Sequence, residues 1–302
     1  MMPSSAIGWA ASLGAAFTWS FSVMMYRKWG VGRSATWLNL FKGTVALVFF
    51  GAAAVISGGF GIISMNVLVT LAVSGIVGVF IGDSAFFAAL IRIGGTLTSA
   101  IQCLAPSLTA VLAWLFLGET LRPAQILGLV ITSTCLALLV ISEARIARRV
   151  DKQVVAKNGY FFFGIVFALV AAVSQAAGAV IARPAIDGLS PFISASLRLW
   201  APVLFLLGWQ IYKNRGFFPT VRTLVRGHGI IPMAMASFAG TFLGLTLMMY
   251  GMANAPLGVA LALSSTYPVW ILMGEYIVGK SSIGRLGALL VIGSVGGIWL
   301  MI

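Results

Sequence analysis

The stretch GVFIG at residues 78–82 recurs as GTFLG at residues 240–244, and this recurrence is the first sign of an internal repeat. The same offset of 162 residues superposes Pro106 on Pro268. Earlier in each half, an offset of 156 relates five further pairs: Gly8 with Gly164, Arg27 with Arg183, Gly32 with Gly188, Ser34 with Ser190 and Lys42 with Arg198. Two nearly constant offsets indicate that the chain contains two copies of one unit.

The chain around these repeats is strongly apolar. Of its 302 residues, 60% are hydrophobic and only 8% are charged, and the mean hydropathy is +1.06. Since soluble domains carry about 25% charged residues, these values exclude a water-soluble fold. A helix needs about 20 apolar residues to cross a bilayer, and the chain divides into ten such runs. Their predicted limits are 6–26, 35–57, 66–91, 95–118, 123–142, 160–182, 191–212, 230–253, 257–278 and 284–302.

Ten apolar runs in two copies predict an all-α membrane protein whose ten transmembrane helices form two five-helix repeats. We expect residues 1–142 to form the first repeat, residues 143–159 a basic linker and residues 160–302 the second repeat. Because five is an odd number, the second copy enters the membrane from the opposite side, so the repeats are inverted. Many secondary transporters share this plan, in which two similar halves open a central cavity to each side in turn.

The net charge of +13 is concentrated in short segments between the apolar runs. No basic helix or aromatic-basic surface accompanies it, so the expected partner is the lipid bilayer and not nucleic acid. Odd-numbered connections hold fifteen of the nineteen Lys and Arg residues, whereas even-numbered connections hold only Arg122 and Arg183. We call these two sides of the protein the basic side and the low-charge side. The positive-inside rule places the basic side in the cytoplasm and both termini on the opposite side.

The segment Gly82 to Ile131, GDSAFFAALIRIGGTLTSAIQCLAPSLTAVLAWLFLGETLRPAQILGLVI, resembles the EamA-like branch of the drug/metabolite transporter superfamily. A looser match runs from Gly244 through Pro268 to Gly287. The resemblance implies two five-helix repeats around a central cavity, and the export or exchange of amino acids and other small metabolites. It also implies termini in the cytoplasm, opposite to the orientation that the charge distribution predicts.

The two copies differ in their acidic residues. The acid of the family's LGE motif is Glu119, but the related position of the second copy is Lys280, in VGK. Asp83 likewise has no acidic counterpart, because Leu245 stands at the related position. These differences argue against a symmetric role for either acid.

Four ionisable residues lie well inside predicted spans, away from the first residues of each: Lys42, Asp83, Arg198 and Glu275. A charge in mid-membrane costs about 2.5–3.5 kcal/mol on insertion scales, so such residues usually face the interior of the bundle. Lys42 and Asp83 both lie about 10–12 Å from the basic side, given a rise of about 1.5 Å per residue. A contact between them is geometrically feasible, either as a pair that neutralises two packed helices or as a gating or proton-sensitive pair.

Arg198 occupies the position related to Lys42 but has no acid at the matching place. It either binds a substrate's carboxylate or phosphate through its planar guanidinium, caps helix-end carbonyls, or pairs with Glu119. Glu275 lies about four residues from the end of its span on the basic side. It is either a coupling or gating carboxylate or an interfacial acid paired with Lys280.

Two prolines and two aromatic residues complete the candidate site. Pro106 and Pro268 stand in mid-span, where proline removes a backbone hydrogen bond and kinks the helix, and we expect these kinks to act as hinges beside a cavity. Trp19 and Tyr267 lie deep within their spans and are candidates for contacting a substrate.

These features favour a secondary transporter of small molecules, multi-pass in the plasma (inner) membrane. The sequence offers no Walker loop, catalytic triad or metal-ligand spacing, so we expect no catalytic site, metal or cofactor. Two alternatives remain. The first is a membrane-embedded enzyme acting on lipid-linked substrates, which needs an acid/base or metal set near an interface. The second is a channel or membrane scaffold, and a continuous polar stripe through the bundle would favour the channel.

Overall fold

The computed structural model describes residues 4–30, 33–56, 61–150, 158–213, 229–277 and 285–301, and the regular structure in these ranges is helical. Two π-helical segments, π1 (Ile76–Asp83) and π2 (Phe238–Leu243), interrupt the α-helices. The α-helices are α1 (Ser4–Trp29), α2 (Ala35–Ile56), α3 (Met65–Gly75), α4 (Ser84–Gln102), α5 (Ala105–Leu117), α6 (Pro123–Val150), α7 (Asn158–Ile186), α8 (Pro191–Tyr212), α9 (Ile230–Ser237), α10 (Gly244–Asn254), α11 (Leu257–Ser264), α12 (Tyr267–Ile277) and α13 (Arg285–Met301).

The helices have the length and surface of a multi-pass membrane bundle. Large apolar side chains such as Trp114, Phe116 and Trp299 are exposed, which lipid favours and water does not. Four shorter apolar helices, of 10–17 residues, add to the longer ones in the described ranges. The described helical stretches long and apolar enough to cross a membrane are Thr36–Ala53, Met65–Leu90, Phe161–Ile186, Pro191–Tyr212 and Ile230–Asn254.

The first helix of each half packs against the third predicted span of the other half. In α1, Trp19 Nε1 donates a hydrogen bond to the Gly240 carbonyl at 2.8 Å. In the related contact, Ser74 Oγ donates to the carbonyl of Gly178 in α7 at 2.6 Å. This crosswise packing joins the two halves along both of their first helices.

Glycines in the repeated GxxxG stretches make this packing possible. A Cβ at Gly178 would lie 2.8 Å from the Gly78 Cα, and a Cβ at Gly240 would overlap the Ser22 side chain. Gly78 and Gly240 stand in π1 and π2, so both copies have a π-helical segment at the same place. Small residues allow membrane helices to approach backbone to backbone, and the repeated stretch therefore serves helix contact.

The predicted break between spans 3 and 4, at residues 92–94, falls inside α4, which is helical from Ser84 to Gln102. As a break in helical structure this prediction was wrong. The chain still changes direction there, as its path along α7 shows. The close approaches in chain order are Gly78 with Gly178, Ile93 with Gly164, and Gln102 with Gln175. Along this segment the residue number of the partner in α7 decreases from 178 to 164 and then increases to 175. The chain therefore runs antiparallel to α7 as far as Ile93 and has reversed its direction by Gln102.

The two predicted kinks are complete breaks between helices. Pro106 is the second residue of α5 and Pro268 the second residue of α12. The expectation of prolines in mid-helix was therefore wrong. In the first turn of a helix the missing N–H has no intrahelical partner to lose, so each proline begins a helix here instead of bending one.

The last helices of the two halves also pack together. A Cβ at Gly297 of α13 would lie 2.8 Å from the Gly128 carbonyl oxygen of α6. Helix α6 continues to Val150, eight residues into the predicted linker. The extension EARIARRV consists largely of Ala, Glu and Arg, which favour helix, so the charged segment begins as a continuation of α6.

Candidate functional site

A cavity of about 230 Å³ lies between the two halves. Most of its wall is apolar, with a few polar groups, which is the usual composition of a small-molecule site. The polar and aromatic side chains in its wall are Trp19, Lys42, Asp83, Phe86, Phe87, Gln102, Gln175, Arg198, Thr241, Ser265 and Tyr267. Since these residues come from both repeats, a relative movement of the halves would change the shape of the cavity.

Lys42 of α2 and Asp83 at the end of π1 form an ion pair in this wall. Lys42 Nζ lies 2.5 Å from Asp83 Oδ2, and the ammonium also lies 5.7 Å from the centre of the Phe87 ring. Their side chains are 17% and 36% exposed. The contact anticipated from their equal depth is present, and the carboxylate is reachable from the cavity.

Arg198 of α8 is buried, with 6% of its surface exposed. Its guanidinium makes no hydrogen bond or ion pair with the described residues, and its Nε is enclosed without a partner. The side chain extends towards the first half, because a Cβ at Gly78 would lie 2.7 Å from Arg198 Nη2. Asp83 is the carboxylate that attracts this cation electrostatically.

Glu119 does not contact Arg198, so that alternative was wrong. Its Oε1 lies 3.2 Å from Arg183 Nε, and its Oε2 accepts a hydrogen bond from the Leu257 N–H at 2.8 Å. Arg183 Nη1 also donates to Asp187 at 3.0 Å and to the Ala253 carbonyl at 3.2 Å. These five residues form a cluster, which we call the Glu119 cluster, at the helix ends on the low-charge side. It joins the first half, through Glu119, to three segments of the second half.

Trp19 and Tyr267 both lie in the cavity wall. Trp19 is held in place by its bond to Gly240, and Tyr267 opens α12 directly after the break at 265–266. The sequence reasoning missed Gln102 and Gln175, which also line the cavity and are hydrogen-bonded to each other. Gln175 is related to Trp19 by the offset of 156, and that relation was the available signal.

The remaining candidates stand outside the cavity wall or outside the described part of the chain. Pro106 and Pro268 are not among the lining residues, and each stands directly after a break between two helices. Glu275 belongs to α12, but its side chain lies outside the described residues, as does Lys280.

Comparison with known proteins covers nearly the whole chain. The model of the EamA-like transporter family matches residues 6–141 and again residues 162–302. One solved crystal structure, titled "Crystal structure of protein", aligns with 97% of this chain and 95% of its own, at a TM-score of 0.76. At 18% identity this likeness shows a shared fold alone. Curated protein sequences give no significant match.

Proposed function

Because this chain belongs to the EamA-like transporter family, we propose that it carries small metabolites across a membrane as a secondary transporter, by export or exchange. The observation that carries the proposal is the cavity between the two halves, whose wall combines apolar surface with a few charged and polar side chains. A chain without a Walker loop would draw on a substrate or ion gradient.

The proposed topology has ten transmembrane spans in two inverted halves, residues 1–142 and 160–302, with the basic segment 143–159 between them. The reversal of chain direction within α4 supports this topology. It separates the predicted spans 3 and 4, although the helical structure of α4 is continuous there. The crosswise packing of α1 and α7 also supports it, since each first helix meets the same part of the opposite half. We place the protein in the plasma (inner) membrane, with the basic side in the cytoplasm.

Alternating access follows from movement of the two halves around the cavity. In this proposal Trp19 and Tyr267 contact the substrate, the breaks beside Pro106 and Pro268 act as hinges, and Glu275 remains a predicted coupling or gating residue. The Glu119 cluster is the natural closure on the low-charge side, because it holds Arg183 and the start of α11 against the first half.

Uptake and counterflow in proteoliposomes test the proposal. The purified protein is reconstituted and offered a panel of labelled amino acids, organic acids and amines, with unlabelled compound inside the vesicles. A carrier gives saturable uptake that internal substrate accelerates. Flux that neither saturates nor responds to internal substrate would indicate a channel, and no flux above protein-free vesicles for any compound would contradict the proposal.

A further inference from the structure

Arg198 is a buried cation whose guanidinium has no bonded partner in the part of the chain that the structure describes. It is more than nine-tenths buried, and no described residue accepts a hydrogen bond from its guanidinium. A buried charge is strongly unfavourable unless another group neutralises it or bonds to it. The side chain nevertheless lies in the wall of the central cavity, against Gly78 of the opposite half. The missing partner can therefore enter from the cavity.

The charges of the cavity wall do not balance. Among the described lining residues, the charged side chains are the cations Lys42 and Arg198 and the single carboxylate of Asp83. Asp83 is bonded to Lys42 at 2.5 Å, so its charge is already shared with another cation. The net charge of one positive unit remains at Arg198. A ligand that carries one negative charge would bring the cavity to neutrality.

We propose, building on the transport function proposed above, that Arg198 binds the carboxylate of a small monoanionic organic acid. The guanidinium presents donors in a planar fork that matches both oxygens of a carboxylate. A dianionic phosphate ester would leave the cavity with an excess negative charge. A zwitterion would leave the positive charge unchanged, and its ammonium group would compete with Lys42 for Asp83.

The test is ligand-dependent thermal stability of the purified protein. The probes are potassium salts of straight-chain monocarboxylates of two to six carbons, their neutral amides, the matching α-amino acids and inorganic phosphate, all at equal ionic strength. We expect at least one monocarboxylate to raise the apparent Tm by roughly 2–5 °C at ten or more times its Kd. The amide of the same acid should have no comparable effect.

Variants assign the effect to the guanidinium. Arg198→Lys keeps the charge but loses the fork, and we expect the Kd of the monocarboxylate to rise about tenfold. Arg198→Met should abolish the shift. Lys213→Met removes an exposed cation outside the cavity wall and should retain it. Should Arg198→Met fail to fold, Arg198→Lys still decides the matter, because an unchanged Kd in that variant overturns the proposal.

The remaining outcomes are equally decisive. Stabilisation by amino acids or phosphate only, or by none of the probes, overturns the monocarboxylate site. Counterflow of another compound that is equal in wild type and Arg198→Met leaves the transport function standing without this site. Monocarboxylate binding that Arg198 controls, in a protein that shows no counterflow, leaves the site standing and removes the transport function.

Discussion

At the scale of single residues, Lys42 and Asp83 depend on each other. The carboxylate and the ammonium share one wall of the cavity, and neither is fully exposed. Removing Lys42 alone leaves Asp83 without its bonded cation in surroundings of low dielectric constant, whereas removing both residues leaves neither member of the pair behind. The pair is therefore better judged by joint replacement than by either single substitution.

We expect Lys42→Met to lower the apparent Tm by several degrees, for a cost of about 2 kcal/mol from the stranded Asp83. The double variant Lys42→Met with Asp83→Leu should recover part of that loss, because it removes the stranded carboxylate but also the attraction of Asp83 for Arg198. Thermal unfolding of the purified protein would measure this recovery. Lys213→Met, which removes an exposed lysine, is the control and should stay close to wild type. A double variant less stable than Lys42→Met alone would contradict the expected coupling.

The sequence indicates some of these residues and not others, for a physical reason. The depth of Lys42 and Asp83 follows from counting residues along two neighbouring helices, so their contact is predictable. The bond of Glu119 to Arg183 depends on how the end of one half meets the second half. Internal offsets relate equivalent positions of the two copies, but they do not tell which unrelated positions meet across the interface.

At the scale of elements, the glycines fix the distance between helices. Where Gly178 of α7 meets Gly78 of π1 the contact is made by backbone on both sides, so no side chain there can rotate away from an added atom. The repeated glycine spacing is visible in the sequence, but the sequence does not identify the helix that packs against these glycines. The sequence also contains Pro106 and Pro268 but does not reveal whether each bends a helix or begins a new one.

We expect Gly178→Ala to lower the apparent Tm by an amount equivalent to about 1–3 kcal/mol. Its Cβ would lie 2.8 Å from the Gly78 Cα and 3.0 Å from the Ser74 carbonyl oxygen. Gly208→Ala is the matched control, because a Cβ at that helical position meets no atom within 4 Å. Higher helix propensity should leave that variant as stable as wild type or more so. Equal stability of the two variants would show that α7 can move away from π1.

The Glu119 cluster makes a second prediction at this scale. Glu119→Gln removes the ion pair with Arg183 but keeps an oxygen for the Leu257 N–H, so the cluster should loosen without unfolding. A cysteine placed at Thr241 in the cavity wall, in a chain lacking Cys103 and Cys135, reports access from the low-charge side. We expect an impermeant thiol reagent on that side to label it about 5–30 times faster, corresponding to about 1–2 kcal/mol.

Asp187→Asn is the control for the cluster. Asp187 is largely exposed and bonds to Arg183 within its own half, so it does not join the two halves. Its replacement should leave the labelling rate of the cysteine near that of the parent. The same rate in Glu119→Gln and in the parent would remove the cluster from any role in closure.

At the scale of the whole molecule, the duplicated architecture is the part most completely predictable from sequence. Two offsets and ten apolar runs indicated it, and the family match extends over both halves. The packing of each first helix, α1 or α7, against the opposite half was not predictable. The space that Gly240 and Gly78 leave could accept any helix with a suitable face. Orientation relative to the cytoplasm depends on the charges of the connections between helices, and the packing of the described helices does not reveal it.

We expect both termini to face away from the cytoplasm, because fifteen cations fall in the predicted odd-numbered connections. Fusion of alkaline phosphatase, which is active outside the cytoplasm, to Ile302 should give activity, and fusion of a cytoplasmic fluorescent reporter should give no signal. Truncated fusions ending in the segment 143–159 should show the reverse pattern. A fluorescent full-length fusion without phosphatase activity would overturn this orientation.

The first helices that pack against the opposite half also set the order of events on the ribosome. The bond from Trp19 to Gly240 spans 221 positions of the chain. At a synthesis rate of about 5–20 residues per second, α1 is synthesised roughly 10–45 s before the segment around Gly240 against which it packs. During that interval α1 and the segment around Gly78 are both exposed in the nascent first half, because the second-half segments that they pack against have not yet been synthesised. Chaperone or insertase contacts would be needed most at this stage, and co-produced half-length chains would find their missing surfaces in each other.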